Sequence, residues 1–467
     1  MNRRNDRAIG SRASATVLPS WPLTLMIAGL PLWWFSGLAE IVWIPIAGCM
    51  AALMLRRGRI SIPRGMGLWL LFLVLMLVSV IGIDSSGRLL AFGYRALLYL
   101  SVTVVFVYVL NAPERLPMRT VLGLLTLLWV YTWIGGYAGI LFPEFAFATP
   151  LAWVLPDALL SNELVGEMAI RRTAQYNPDG HLELAPRPSA PFLYTNSWGS
   201  VYSLTLPAAV AYAGELGRGR RFQGLLIAFP VSFVPAAFSL NRGMLLGLGV
   251  AGAYLLLRFA LAGRAREVRA LGGVGIVGFV AVFLLDLPER LSARTEVSAS
   301  TTTRSNLYLE AWERTLQSPL FGYGAPRPSQ VAEPAVGTQG QVWMVMFSHG
   351  LPALACFLLA LVWLVLATAR WRGPHVLVLH TIQLVTLVES FFYGLLPHGL
   401  IVSFIAGAAA LREGAPPRAR DDARTTQSVP MRRRRGVRTV RERGLARSAS
   451  RPRRVSAPRE AGGKGRA

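Results

Sequence analysis

Hydrophobic residues run along this chain in stretches of roughly twenty, separated by short polar connections and by two long ones. Each such run is long enough to cross a ~30 Å hydrocarbon core as a helix. The pattern predicts twelve segments: Trp21–Leu38, Ile41–Leu55, Met66–Ile83, Arg95–Leu110, Val121–Leu141, Trp198–Ala213, Phe222–Leu240, Gly243–Ala262, Arg269–Leu287, Val342–Ala369, Val376–Leu396 and Leu400–Leu411. The expected architecture is an all-α polytopic membrane bundle over residues 21–411, preceded by a short segment, 1–20, and followed by a tail, 412–467. The long connections cover 143–195 and 288–340. Within the second, Leu307, Leu309, Ala311, Trp312 and Leu316 recur at a spacing that predicts a short amphipathic helix lying along the membrane surface. Pro319 should end it, and Gly322 and Gly324 should permit a tight turn.

Composition agrees with a membrane chain: 15% of residues are charged and 53% hydrophobic, where a soluble domain carries about a quarter charged. The net charge of +24 raises the question of nucleic acid, but more than half of it sits in Leu411–Ala467, with 18 Lys or Arg against 5 Asp or Glu. That stretch is rich in Arg, Pro, Ser and Gly without apolar periodicity, so it is expected to be disordered. No aromatics interleave its arginines, so nucleic acid is not an expected partner. Solvation, or contact with anionic lipid headgroups, fits it better. Cys49 and Cys356 fall inside predicted helices and define neither a disulfide framework nor a metal site. No metal and no cofactor are expected.

Arginines also orient the bundle. They cluster before the first segment and after the second, fourth, sixth, eighth, tenth and twelfth, including Arg56, Arg119, Arg220, Arg266 and Arg370. By the positive-inside rule these connections and both termini are cytoplasmic. The long connections then share the outer side of a bacterial cytoplasmic membrane. The turn Asn241-Arg242-Gly243 falls on that side too.

Candidate chemistry gathers there. Arg187 stands in Arg187-Pro-Ser-Ala-Pro-Phe-Leu-Tyr-Thr-Asn196-Ser-Trp-Gly199, leading into the sixth segment. A guanidinium offers a planar fork of donors to phosphate oxygens, and helix N-terminal amides near Asn196 add to it. Arg242 sits between two segments. Arg304 opens the predicted loop helix that carries Glu310, Trp312 and Glu313. Each of these arginines also has an ordinary role as a snorkelling anchor.

Taken together, these pieces resemble the O-antigen ligase/polymerase family. The likeness spans Arg187 to Gly350: Arg187, Ala190 in place of a Gly, Asn196 and Gly199; then Asn241-Arg242-Gly243 between two spans; then Arg304, Trp312, Pro319, Gly322 and Gly324. The resemblance implies transfer or polymerisation of a glycan from an undecaprenyl-diphosphate carrier to a glycan, lipid or protein acceptor. Arg187, Arg242 and Arg304 would converge on the diphosphate. Asn196, Trp312, Gln339 and Glu310 would serve substrate binding, with Trp312 stacking on a sugar and Glu310 and Glu313 the nearest acids to an acceptor hydroxyl. One departure stands out. Where the family has a His before the tenth segment, this chain has Gln339, which cannot act as a general base. A non-catalytic partner of a glycan assembly system is therefore one alternative. A secondary transporter is another, with Glu389, His380, Pro230 and Pro235 as its intramembrane candidates.

Overall fold

The computed structural model describes residues 17–175, 186–297, 300–331, 335–370 and 373–414. The N-terminal arginines and the basic tail lie outside them. The chain begins with α1 (Trp21–Ala28), α2 (Leu30–Ser36), α3 (Trp43–Arg57) and α4 (Met66–Val78), a 3₁₀ turn at Ser79–Gly82, then α5 (Ser86–Asn111) and α6 (Met118–Leu141). The first long connection folds into β1 (Ala146–Ala148), α7 (Pro150–Val154), α8 (Asp157–Leu160), α9 (Glu163–Ala169), β2 (Ile170–Arg172), β3 (Ala174–Gln175) and β4 (Arg187–Pro188). Next come α10 (Thr195–Glu215), α11 (Arg220–Phe238), α12 (Arg242–Leu261) and α13 (Ala265–Leu284). The second long connection holds α14 (Leu287–Val297) and α15 (Ser300–Gln317). The last helices are α16 (Gln341–Ala369), α17 (Pro374–Glu389) and α18 (His398–Gly414).

Every predicted hydrophobic segment is helical, and the fold is all-α. Six helices (α5, α6, α11, α12, α13 and α16) are long and apolar enough to cross a membrane, and two shorter apolar stretches cover Met66–Gly82 and Pro374–Glu389. Three segments depart from the prediction for local reasons. The first is divided at Gly29, where the Trp33 indole donates to the Leu25 carbonyl at 3.1 Å. The fourth begins at Ser86, not at Arg95, so that arginine lies inside the helix. The eleventh stops at Glu389 because the residues after it serve another helix: the carbonyls of Tyr393 and Ser390 accept from the Gln341 and Val342 amides at 2.7 and 2.9 Å, capping the start of α16.

Aromatic packing centres the bundle. The buried Trp69 ring of α4 meets Phe72, Tyr99, Phe357 and Phe404, with centroids 4.5 to 6.1 Å apart. These rings tie α4, α5, α16 and α18 together. At the periphery α13 buries none of its residues. Cys49 and Cys356 are free and partly buried.

Both long connections are fastened at one end of the bundle. The β1–β2 pair sets Phe147 opposite Arg171, and β3–β4 sets Gln175 opposite Arg187. Arg171 is buried, with its guanidinium 3.8 Å from Glu40, and His398 lies 3.7 Å from the same carboxylate. In the second connection, Arg88 of α5 donates to the carbonyls of Tyr323 and Ala325 at 2.8 and 2.7 Å.

The stretch after Pro319 does more than turn. α16 breaks at Gly350, whose φ of +83° and ψ of 176° leave the helical region. The chain from Pro319 to Gly324 inserts into that break. Amides of Tyr323 and Gly324 donate to the carbonyls of Phe347 and Ser348 at 3.1 and 2.7 Å, and the Leu351 amide donates to Pro319 at 2.7 Å. Backbone groups that a broken helix would leave open are thereby paired. Gly322, at φ +62°, passes so close that an added Cβ would come within 2.6 Å of the Phe347 carbonyl. The spacing of Pro319, Gly322 and Gly324 thus has a structural cause in this chain.

Candidate functional site

At the loop end, four parts of the chain meet around Tyr393. Its hydroxyl donates to Asn241 Oδ1, and Asn241 Nδ2 donates to the Thr195 carbonyl at 3.0 Å. The turn before α12 is thus joined to the first turn of α10. Gly199 makes this approach possible, because a Cβ there would stand 2.3 Å from Asn241 Nδ2. From the other side Gln341 links helices: its Nε2 donates to the Tyr99 hydroxyl at 2.5 Å, and its Oε1 accepts from the Leu395 and Leu396 amides at 2.9 and 3.1 Å.

Arg187 and Arg304 both lie within electrostatic range of the Tyr393 phenol, as does the Glu389 carboxyl. They come from separate connections, Arg187 from β4 and Arg304 from α15, and both are half-buried. Arg242 is exposed and opens α12 directly after Asn241. Neither Arg242 nor Arg304 forms an ion pair among the described residues. Asn196 lies in the first turn of α10, partly exposed; the Thr195 amide is met by Gln175 Oε1 at 3.0 Å. The first turn of a helix favours negative charge.

The remaining predicted residues fall differently. Glu310 is buried and engaged within its own loop: Ser329 Oγ donates to it at 2.5 Å, the Gln330 amide at 3.0 Å and Arg314 at 2.9 Å. Burial raises this carboxyl, but the Ser329, Gln330 and Arg314 donors outweigh burial and hold it below its ordinary 4.5. These contacts explain Glu310 as a tie that shapes the loop. A carboxyl lowered on folding contributes stability above its unfolded value and loses it as pH falls through the folded one. Cleavage by an acid protease within 318–331 should therefore quicken as pH drops below 4.5, and Glu310→Gln should remove that pH step. An unchanged step in the variant would assign the effect elsewhere.

Trp312 is 46% exposed, on the side of α15 away from buried Leu307 and Ala311. The α15 helix is longer than the short one expected, and it packs on α16 through Leu307 and Ala311 while Leu309, Trp312 and Leu316 stay exposed. The aromatic pair beside Arg304 is instead Tyr308 stacked on Trp343, with centroids 4.3 Å apart and planes 16° apart. Gln339 is partly exposed; its carbonyl accepts from Tyr308 at 3.2 Å and its amide donates to Thr338 at 3.3 Å. His349 lies deeper in α16, buried and bonded to Ser79 at 2.7 Å.

Several site residues escaped sequence reasoning. Tyr393 and Gln341 are single polar residues whose meaning arises only when α5, α12, α16 and the turn after α17 meet. Arg95 had a visible signal, a charge inside an apolar run. Its Nη1 is buried without a hydrogen-bond partner among the described residues. Glu389 is buried beside the site, accepting from Ser200 at 2.9 Å and from Ser203, in space left by Gly247. His380 is likewise held, by Thr368 and Tyr254, each at 2.8 Å.

Compared with family models, with curated proteins and with solved structures, the chain matches none.

Proposed function

We propose that this chain is a membrane-embedded glycosyltransferase of the O-antigen ligase/polymerase type, acting on a glycan carried by undecaprenyl diphosphate at the outer face of the cytoplasmic membrane. The observation that carries this reading is that Tyr393 and the Thr195 carbonyl hold Asn241, the neighbour of Arg242, at the start of α10, with Arg187 and Arg304 from two separate connections within electrostatic range of Tyr393. In this reading the twelve helical segments are twelve crossings, both termini are cytoplasmic and the loop end faces outward.

The chemistry asked of the site is limited. An acceptor hydroxyl attacks the anomeric carbon, the bond to the carrier oxygen breaks, the diphosphate leaves with the electron pair, and the hydroxyl proton passes to a diphosphate oxygen or to water. Negative charge grows on that diphosphate. Arginines fixed before the reaction stabilise it in a partly dehydrated site. Arg187 and Arg304 supply bidentate donors, Arg242 a third guanidinium, and the first turn of α10 its amide dipoles. Arg95, whose Nη1 is buried without a hydrogen-bond partner among the described residues, is a further guanidinium on α5. Gln339 takes no proton and Glu310 is committed to its loop, so leaving-group stabilisation is the main contribution. The Tyr308–Trp343 stack offers a flat apolar face to a sugar ring. Glu389 and His380, the residues a transporter would use, are both hydrogen-bonded within the bundle.

The test is lipid extraction from a strain lacking the gene, followed by mass spectrometry of undecaprenyl-diphosphate-linked glycan. Accumulated donor, cleared by the wild-type gene, is the expected result. The number of repeats on the donor separates ligase from polymerase. Unchanged lipid-linked glycan would overturn the reading. A wild-type phenotype in the Arg187→Ala, Arg304→Ala double variant would instead favour a non-catalytic partner.

A further inference from the structure

In the first long connection, α7 and α8 are apolar helices that bury none of their residues. Leu151–Leu160 reads Leu-Ala-Trp-Val-Leu-Pro-Asp-Ala-Leu-Leu, with Asp157 its one charged residue. Trp153 is 78% exposed and Val154 80% exposed, and Ala158 and Leu159 are exposed with them. In water these side chains would form an uncovered apolar patch. Polar residues bracket the stretch. Glu144 precedes it, and Ser161, Asn162 and Glu163 follow it, all exposed. Asn162 Oδ1 accepts from the Val165 amide at 3.3 Å, capping α9 where the chain turns polar again.

The place of the stretch in the fold indicates what covers it. It comes shortly after α6, a helix long and apolar enough to cross a membrane, and α7 packs on the end of α2. The packing is close: a Cβ on Gly37 would stand 2.4 Å from Thr149 Oγ1 and 2.7 Å from Leu151 Cβ. Thr149 is pinned in turn, its amide and hydroxyl both donating to the Ala169 carbonyl, at 2.9 and 2.8 Å. Exposed apolar residues of the neighbouring helices adjoin the segment, Leu32 and Phe35 on α2 and Leu141 and Phe142 at the end of α6. The rings of Phe35, Phe147 and Phe145 bridge these two helix ends, with successive centroids 5.8 and 5.7 Å apart. Charge then selects the kind of contact. No Lys or Arg occurs between Pro143 and Ile170, while Glu144, Asp157, Glu163 and Glu167 do. Attraction to anionic headgroups is therefore absent, and two copies of this face would repel each other.

We infer that Pro150–Leu160 dips into the membrane, resting among the acyl chains of the leaflet at the loop end of the bundle, with Trp153 at the boundary between chains and headgroups. The anchor is apolar and indifferent to headgroup charge. It holds whatever reaction the arginines serve, because it depends on the exposed face alone. Its effect on the connection is positional. The Thr173 amide donates to the Phe145 carbonyl at 3.2 Å, and the Thr173 carbonyl accepts from the Ser189 and Ala190 amides, each at 3.1 Å. A segment held in the leaflet thus sets the height of the strand that carries Arg187 relative to the bilayer.

The test uses the full-length chain in phosphatidylcholine nanodiscs that include a phosphatidylcholine bearing a diazirine on its acyl chain. After illumination, labelled peptides are mapped by mass spectrometry. Helix α13, which buries no residue, is the internal reference for lipid contact. The expected result is labelling of Pro150–Leu160 within a few-fold of α13, no labelling of Ser161–Glu167, and the same pattern when phosphatidylglycerol replaces part of the phosphatidylcholine. A carboxylate among acyl chains is costly, so Trp153→Asp with Val154→Asp should cut the segment's labelling roughly tenfold. Labelling of α13 and elution as a folded species should stay unchanged in that variant. An unlabelled segment beside a labelled α13 would overturn the inference. Labelling that appears only with phosphatidylglycerol would overturn it too, as headgroup attraction. Chain-to-chain cross-linking through Trp153→Cys, with the segment unlabelled, would assign the face to a second copy instead.

Discussion

Replacing Arg304 by alanine should lower glycan transfer by roughly 10²–10³-fold, the range observed when one preorganised donor to a developing charge is removed. The argument is local. Arg304 is half-buried, forms no ion pair among the described residues, and reaches the electrostatic neighbourhood of Tyr393 together with Arg187. Its removal takes positive charge from the site and little from the fold. Membrane insertion and thermal stability should stay near wild type. Arg304→Lys should fall between, since an ammonium keeps the charge and loses the bidentate fork. Arg314→Ala is the useful contrast. Arg314 pairs with Glu310 at 2.9 Å and donates to the Pro328 carbonyl at 3.1 Å, so its loss should loosen the loop and lower stability as well as activity. Transfer from a purified lipid-linked donor in proteoliposomes, beside thermal unfolding, separates the two. Transfer by Arg304→Ala within a few-fold of wild type would remove Arg304 from the mechanism.

The second large effect is on the fold. Gly350→Ala should destabilise by about 3 kcal/mol or more, combining a backbone conformation that side chains disfavour with overpacking. The new Cβ would sit 2.6 Å from the Leu320 carbonyl carbon and oxygen, atoms of main chain and not of a flexible side chain. The inserted segment would have to withdraw, and its withdrawal would unpair Phe347, Ser348 and Leu351. Against a total stability of ~5–15 kcal/mol this is a large fraction. Gly252→Ala, in α12 with nothing within 4 Å of the built Cβ, should be neutral or slightly stabilising. Thermal unfolding in detergent reads both. A Gly350→Ala protein within about 0.5 kcal/mol of wild type would show that the insertion is not what holds the second connection.

What could be read in the sequence follows from the physics of each signal. Apolar runs locate helices because a helix is the local solution for backbone polar groups in hydrocarbon, and each predicted segment contains a helix. Their ends were less visible. The stop at Glu389 depends on α16 claiming the carbonyls of Ser390 and Tyr393, a partner that lies far along the chain. Arg187, Arg242 and Arg304 could be singled out because charge between apolar runs is conspicuous. That Arg187 and Arg304 lie within range of one phenol could not, because Tyr393 resembles any other aromatic near a helix end. Glu310 illustrates the opposite limit. As an acid near candidate arginines it read as chemistry, and its bonds to Ser329, Gln330 and Arg314 assign it to the loop. Pro319, Gly322 and Gly324 read as a tight turn, and the break at Gly350 gives their spacing its reason.

The segment threaded into α16 also imposes an order on biogenesis. The stretch from Pro319 to Gly324 is synthesised before α16, and α16 cannot complete its hydrogen bonding without it. If α16 kept its break at Gly350 without the inserted segment, the Phe347 and Ser348 carbonyls and the Leu351 amide would be left open in an apolar medium, each at a cost of several kcal/mol. The break in α16 therefore exists only with the loop seated in it, so that a surface connection acts as a template for a helix made after it.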